Sequence, residues 1–356
     1  MAINEFLEAA VTAVQRNESF HDALGKKLSF LKMGKAPNSE ELIVSNVQMP
    51  NLSFRIAGVD SGFVQKKLSF IDLVLVRAVG AVFDYKENSL EKAQYYPKAF
   101  SLPDPVLLKS GLENDERDQS VSLERLKREV QISIEIIEKY SPKYLFIDGS
   151  IVPQYQDRPR KESRINEDYH SIVDIFQKLY ETAEKNSCTL IACVEDSRGS
   201  RFRQILQEEI LPKTAAKQTS LGFSSDSCLL DYFLSKGERT FAFPYTNKVE
   251  SHAILKDYKK EWSESIYVFY MKPSDFDVPL RVEFINKNSS KNYADEISSI
   301  VYALSSLHKE YSYPSVLIDA DMRAGLKPEE ISIVYDRLID KLGTKMRMRR
   351  NSRPFK

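Results

Sequence analysis

The sequence is poor in the residues that mark several large function classes. Its three cysteines, Cys188, Cys193 and Cys228, are too few and oddly numbered for a disulfide framework. None forms a C-x-x-C pair, which argues against a structural zinc. Twelve glycines in 356 residues leave no glycine-rich phosphate loop of the Walker type. The four histidines, His21, His170, His252 and His308, are dispersed, and none is assigned to catalysis. No apolar run reaches the length a membrane helix needs. The opening Met1-Ala2-Ile3-Asn4-Glu5-Phe6 lacks the basic start and apolar core of a signal peptide. A cytoplasmic setting without a membrane partner is therefore expected. Net charge is zero, so a nucleic-acid surface would have to be a local basic patch.

What is present is an ordinary globular composition, 42% hydrophobic and 29% charged, long enough for one elaborated domain or two. The chain is organised around Arg55-Ile56-Ala57-Gly58-Val59-Asp60-Ser61-Gly62-Phe63. This reads as a buried strand that ends on an acid, with glycines that let other groups approach the backbone. Lys143-Tyr144-Leu145-Phe146-Ile147-Asp148-Gly149-Ser150 repeats the pattern. If the two strands are neighbours, Asp60 and Asp148 converge, and two close carboxylates need a proton or a cation between them. For hard oxygen donors that cation is Mg²⁺ or Mn²⁺.

Around these strands the periodicity predicts helices over 3–33, with a break near Asn17, and over 122–139, where Leu126, Val130, Ile134 and Ile137 form one apolar stripe. Further helices are expected over 166–186, 293–309 and 328–342, and shorter ones over 202–210 and 227–235. Phe70 to Tyr85 reads as two antiparallel strands or one long bent strand beside the first. Strands are also expected over 189–194, 240–243, 265–271 and 280–285. Residues 87–119 are polar and irregular, with 111–118 a solvated loop. An exposed basic loop, 151–165, carries Arg158 and Arg160. A basic tail spans 344–356, after an N-terminal helical region 1–50 and a main domain 51–343. The order strand-Asp, two strands, helix, strand-Asp, helix is that of an α/β, ribonuclease H-like core: a mixed sheet flanked by helices, here with helical N-terminal and internal insertions.

The motifs AGVDSGF, LFIDGS, SDSCLLDYFLSKGERT and YPSVLIDADMRAGL, in that order, resemble the NurA nucleases, over roughly residues 50 to 326. The resemblance implies a manganese-dependent, DNA-end-processing nuclease that forms a homodimer and works in double-strand-break repair with a hexameric HerA-type ATPase translocase. It places Asp60 and Asp148 as metal-binding aspartates. It also calls for a helix glutamate between them: Glu129 is the choice, and Glu124 the alternative in another helix register. Tyr313 matches a tyrosine near the metals. Eight residues later the family carries a histidine where this chain has Asp321. Near Glu195-Asp196-Ser197-Arg198 the family often has a lysine; here Arg198 is the basic group.

Phosphodiester hydrolysis needs an activated water, charge neutralisation on phosphate and a stabilised leaving oxygen, and two divalent cations can supply all three. Asp60, Asp148, Glu129 and Asp321 would hold them. Arg198, Arg201, Arg158 and Arg160 would contact DNA. Against these readings, Asp60 before Ser-Gly is also a common turn former, Glu129 a common solvated helix residue, and Asp321 a common cap. Two other classes compete: a catalytically weak dimeric adaptor of a DNA translocase, and an actin-like or sugar-kinase-type ATPase, which the scarcity of glycine-rich loops disfavours.

Overall fold

A computed structural model describes residues 3–68, 72–222, 224–287 and 292–343. The expected basic tail lies outside the described residues. The chain forms two compact units, each assembled from separated stretches. The first comprises Met1–Pro50, Cys193–Asn247 and Ile266–Pro314; the second comprises Asn51–Ala192, Lys248–Ser265 and Ser315–Lys356.

In chain order the elements are α1 (Ile3–Leu28), β1 (Val44–Asn46), β2 (Arg55–Lys67), β3 (Asp72–Lys86), β4 (Ser89–Tyr96) and β5 (Asp104–Leu107). Then come α2 (Asn114–Tyr140), β6 (Tyr144–Asp148), α3 (Asn166–Lys185), β7 (Thr189–Val194), α4 (Arg201–Ile205) and α5 (Asp226–Asp231). The chain continues with β8 (Glu238–Thr240), β9 (Phe243–Pro244), α6 (Lys260–Ser263), β10 (Ile266–Lys272), β11 (Leu280–Ile285), α7 (Tyr293–Ser305), α8 (Ser315–Ala324) and α9 (Pro328–Leu342).

The second unit is built on the strand order β7-β6-β2-β3-β4, with β5 paired to β3. Strands β2, β3 and β4 pair antiparallel, and β6 joins β2 in parallel. An antiparallel meander that passes into parallel strands is the ribonuclease H-like arrangement. Strand β2 is buried almost continuously from Ile56 to Ser61 because both of its faces are covered. A Cβ placed on Gly80, which pairs with Val59, would strike Ile136 of α2. On the other face, a Cβ on Gly58 would lie 2.9 Å from the Val316 carbonyl oxygen, and one on Gly62 2.7 Å from that of Ala324. Glycine at 58 and 62 is what lets the α8 backbone lie directly on the strand.

Several elements depart from the periodicity. Helix α2 begins eight residues before the expected Ser122, because Glu113 and Glu116 close a capping box over residues that read as a solvated loop. Strands β4 and β5 fall within the stretch expected to be irregular; β4 is polar and mostly exposed, so no apolar alternation marks it. Helix α1 runs through Asn17 without a break. Residues 202–210 are split between α4 and a π-helical turn, Leu206–Ile210.

In the first unit the order β1-β8-β10-β11 holds, with β9 on β10. All of its pairings are antiparallel. Leu24 and Leu28 of α1 join Phe202, Phe241, Phe243, Val268 and Tyr270 in its core, whereas Ile3, Leu7, Val11 and Val14 are exposed.

Candidate metal centre

Strands β2 and β6 pair in register from Ile56 with Tyr144 to Val59 with Ile147. Asp60 and Asp148 are the next residues on each, so the two acids lie side by side; Asp148 ends β6, whereas β2 does not end on its acid as expected but runs on to Lys67, paired with β3 throughout. Side chains alternate along a strand; Asp60 therefore shares the face of Gly58 and Gly62, the face covered by α8. The two carboxyls are hydrogen-bonded to one another. Asp60 is only 4% exposed. Burial first, then the charge of Asp148 and that of Glu129, push its carboxyl up to about 9. Asp148 is half-buried, and the pair lacks positive charge: it must keep a proton or take a cation.

Glu129 reaches the group from the other side of the sheet. Its position in the buried stripe of α2 leaves it 1% exposed, while Glu124 is not among the buried residues of the helix. Ser61, whose side chain takes the α2 face of β2, donates a 2.5 Å hydrogen bond to Glu129 Oε2. Arg125, one turn earlier, reaches both Ser61 Oγ at 3.2 Å and Glu129 Oε2 at 3.1 Å. Burial raises the Glu129 carboxyl to about 7 against the pull of Arg125. Glu129 thus acts on Asp60 through charge, with its own carboxylate held by Ser61 and Arg125. That explains why, among the described residues, no three acidic, histidine or cysteine side chains close around a single point as a ready ligand set. The acids form one electrostatic group, spread over both faces of β2. Sequence reasoning assigned no role to Ser61 or Arg125; the i, i+4 spacing of Arg125 and Glu129 was the available signal.

Asp321 sits on α8. The helix crosses β2 with Val316 over Gly58 and Ala324 over Gly62, so the turn holding Ala320 and Asp321 passes over Asp60. Ala320 is buried against the strand, and Asp321, next to it, is exposed. Asp319 instead pairs with Arg323 at 3.1 Å. The stretch before Met322 is helix, not the turn or cap considered for Asp321. Tyr313 belongs to the first unit, where its hydroxyl donates to the Cys193 carbonyl at 2.9 Å.

The four arginines expected at DNA have different surroundings. Arg158 is half-buried rather than free on a loop: it pairs with Asp257 at 3.0 Å and lies over the Tyr169 ring. Arg160 is exposed, 3.9 Å from Asp115. Arg198 is exposed and Arg201 half-buried.

Taken together, the meander, the parallel strand beside it and the acids side by side on β2 and β6 define a ribonuclease H-like α/β protein with a carboxylate centre. The NurA domain family matches residues 54–326, and the chain belongs to that family. Among solved structures it is similar to the NurA nuclease from Sulfolobus solfataricus, at 16% identity with a TM-score of 0.60, covering 97% of this chain and 98% of that one. It is also similar to a NurA bound to dAMP and manganese, at 11% identity with a TM-score of 0.52, covering 97% and 98%. These two likenesses establish the shared fold. Comparison with curated proteins finds no match.

Proposed function

We propose that the protein is a divalent-metal-dependent deoxyribonuclease, with Asp60 and Asp148 as its principal metal ligands. The observation that carries this reading is the pair itself: two hydrogen-bonded carboxyls, one of them deeply buried, side by side on neighbouring parallel strands. The donor set is all oxygen and short of positive charge, which suits Mn²⁺ or Mg²⁺. The family membership and the dAMP and manganese in a similar structure's description support the same chemistry. Bound ions, two by analogy with two-metal nucleases, would polarise the phosphodiester and lower the pKa of a water.

The chain's own residues then have separate tasks. Asp60 and Asp148 hold positive charge where β2 and β6 run side by side. Glu129, kept in place by Ser61 and Arg125, adds negative potential from beneath. Asp321 supplies a further carboxylate from the turn of α8 over Asp60. Tyr313 is proposed as a catalytic residue that positions the scissile phosphate or a water, which requires its hydroxyl to leave the Cys193 carbonyl; Arg198, Arg201, Arg158 and Arg160 are proposed DNA contacts, with Arg160 and Arg198 the most accessible. Exonucleolytic trimming of DNA ends in break repair, with endonuclease action on single strands, is the activity we infer, in the cytoplasm. No helix among the described residues is long and apolar enough to cross a membrane. The chain itself carries no nucleotide-binding loop of the Walker type, which supports work beside a HerA-like ATPase. The exposed apolar stripe Ile3, Leu7, Val11 and Val14 of α1 is a surface suited to a second copy of the chain.

The deciding experiment incubates the purified protein with end-labelled single- and double-stranded DNA in Mn²⁺, Mg²⁺ or EDTA. Metal-dependent shortening that EDTA stops is expected. Intact DNA in every condition would favour the adaptor reading, which the engagement of Glu129 by Ser61 and Arg125 makes the second choice.

A further inference from the structure

The sheet face that carries Asp60 continues outward to β4. Tyr95 of β4 pairs with Ala81 of β3, and Ala81 with Gly58 of β2, so Tyr95 shares the face of Gly58 and Asp60. It stands two strands across and two residues along from Asp60, roughly 12 Å away. Arg323, at the end of α8, lies over the Tyr95 ring with its guanidinium carbon 3.6 Å from the ring centre. Asp319, one turn earlier, holds Nε at 3.2 Å and Nη2 at 3.1 Å. Cation–π attraction and the ion pair together fix the guanidinium. The Phe100 ring comes next, its centre 5.8 Å from the same carbon. Phe100 belongs to the loop between β4 and β5 and is 87% exposed. An aromatic ring thus rests beside a held arginine while most of its surface meets water. Lys98 and Leu102 of the same loop are also exposed.

We propose that Phe100 is a stacking platform for a base of single-stranded DNA, with Lys98 at the adjoining phosphate, and that it positions the strand for the carboxylate centre. The proposal rests on the deoxyribonuclease reading and names the form of DNA that the site takes: a strand unpaired a few nucleotides from the scissile bond. A base lying on an aromatic ring is the usual sequence-tolerant contact to single strands. The charge beside the ring suits a polyanion: Lys98 is exposed, and the carboxylate of the stack, Asp319, is spent on Arg323. A duplex keeps its bases stacked on one another and offers no open face to Phe100. A protein partner would call for a wider contiguous apolar patch than Phe100 and Leu102 provide.

The test is fluorescence anisotropy of the full chain in EDTA, where no cleavage intervenes. The probes are a labelled oligothymidylate, the same strand made abasic throughout, and a blunt duplex. The parent is expected to prefer the oligothymidylate to the abasic strand. Phe100→Ala, at an exposed position where circular dichroism should be unchanged, is expected to weaken oligothymidylate binding about fivefold to a hundredfold, the scale of one base on one ring. It should leave abasic and duplex binding as they were. Phe100→Trp should retain the preference for bases. Phe100→Leu, which keeps an apolar side chain without a π face, should lose it. Lys98→Ala should weaken the oligothymidylate and the abasic strand alike. Four results would overturn the proposal: no single-strand binding at micromolar concentration, a Phe100→Ala protein that binds as the parent does, equal losses on normal and abasic strands, or a change of mass in light scattering, which would make Phe100 a contact between copies of the chain. The deoxyribonuclease reading is judged separately, by cleavage in Mn²⁺: a parent that cleaves while Phe100→Ala binds normally removes only the platform, and a parent that binds through Phe100 without cleaving removes only the nuclease.

Discussion

In the first unit Arg281 is buried beside Glu283, its Nε 2.6 Å from Glu283 Oε1 and its Nη1 3.2 Å from the Tyr270 hydroxyl, with Tyr245 and Tyr270 flanking the guanidinium. Burial alone would lower the Arg281 pKa, yet Glu283 and the tyrosines hold it well above its ordinary value. In the second unit Asp60 is buried just as deeply, but its charged neighbours, Asp148 and Glu129, are acids, and its pKa moves the opposite way from that of an ion-paired carboxylate. Both regions bury charge. One is closed by its own partners, and the other is left in deficit by a full positive charge or more. A fold can tolerate such a deficit where something from outside supplies the cation, which is the physical case for a metal at Asp60 and not at Glu283.

The largest effect that would break this contrast is on cleavage. Asp60→Ala or Asp148→Ala should lower the metal-dependent rate by on the order of a thousandfold or more, the scale for removing a group that acts chiefly on the transition state, with circular dichroism unchanged. A well-folded Asp60→Ala protein with near-parental cleavage would remove the metal centre from these residues.

The two halves of the contrast were unequally legible in the sequence. Asp60 and Asp148 stood out because each ends a short apolar run, and a parallel pair buried on both faces has no polar alternation to hide them. The resemblance called for a helix glutamate and left Glu129 and Glu124 as choices in two registers; the helix buries Glu129. The Arg281 network did not stand out, since Arg281 and Glu283 alternate with Leu280, Val282 and Phe284 in the way a half-solvated strand would; only the packing shows that both faces are covered. Strand β4 was hidden for the reverse reason, being held by backbone pairing to β3 with little burial of its own. The position of α8 on β2 depends on Gly58 and Gly62 admitting its backbone, a contact that no periodicity encodes.

The next effect tests the closed half. Arg281→Met should destabilise the protein by about 3–5 kcal/mol, because it removes a guanidinium partner from the buried Glu283 carboxylate. Adding Glu283→Leu should recover most of the loss, since the charge and its partner then leave together. Denaturant titration of parent, single and double variants measures this. A single variant within about 0.5 kcal/mol of the parent would show that the network is not a closed pair.

A smaller change sharpens the open half. Asp321→Ala should slow cleavage about ten- to a hundredfold, the range for a residue that supports a metal site from its edge, and raise the metal concentration needed for half-maximal rate. Asp321→His should retain part of the activity and shift it towards Mn²⁺, since an imidazole suits Mn²⁺ better than Mg²⁺. Rates against concentration of each metal decide it. Parental behaviour of Asp321→Ala in both metals would make this aspartate a plain helix residue and direct attention to Asp319.

The smallest effect concerns the metal-free protein and reads the charge deficit directly. An aspartate in the unfolded chain titrates near its ordinary value of about 3.9, whereas in the fold burial and two acidic neighbours lift Asp60 to about 9. Between those values the folded state holds a proton that the unfolded state has released, so stability falls as pH rises. The contribution of Asp60 is fully present below about pH 4 and is lost progressively on the way to about pH 9. Asn at this position cannot ionise, and its amide can still donate to Asp148. Asp60→Asn should therefore melt above the parent in EDTA near pH 8, and the gap should close towards pH 4. With Mn²⁺ the order should reverse, because the parent gains the free energy of binding the ion and the variant gains little. Melting curves for the two proteins from pH 4.5 to 9, with and without Mn²⁺, provide the measurement. Parallel curves in EDTA would mean that Asp60 is already ionised and paired within the fold, in which case the two regions handle buried charge in the same way.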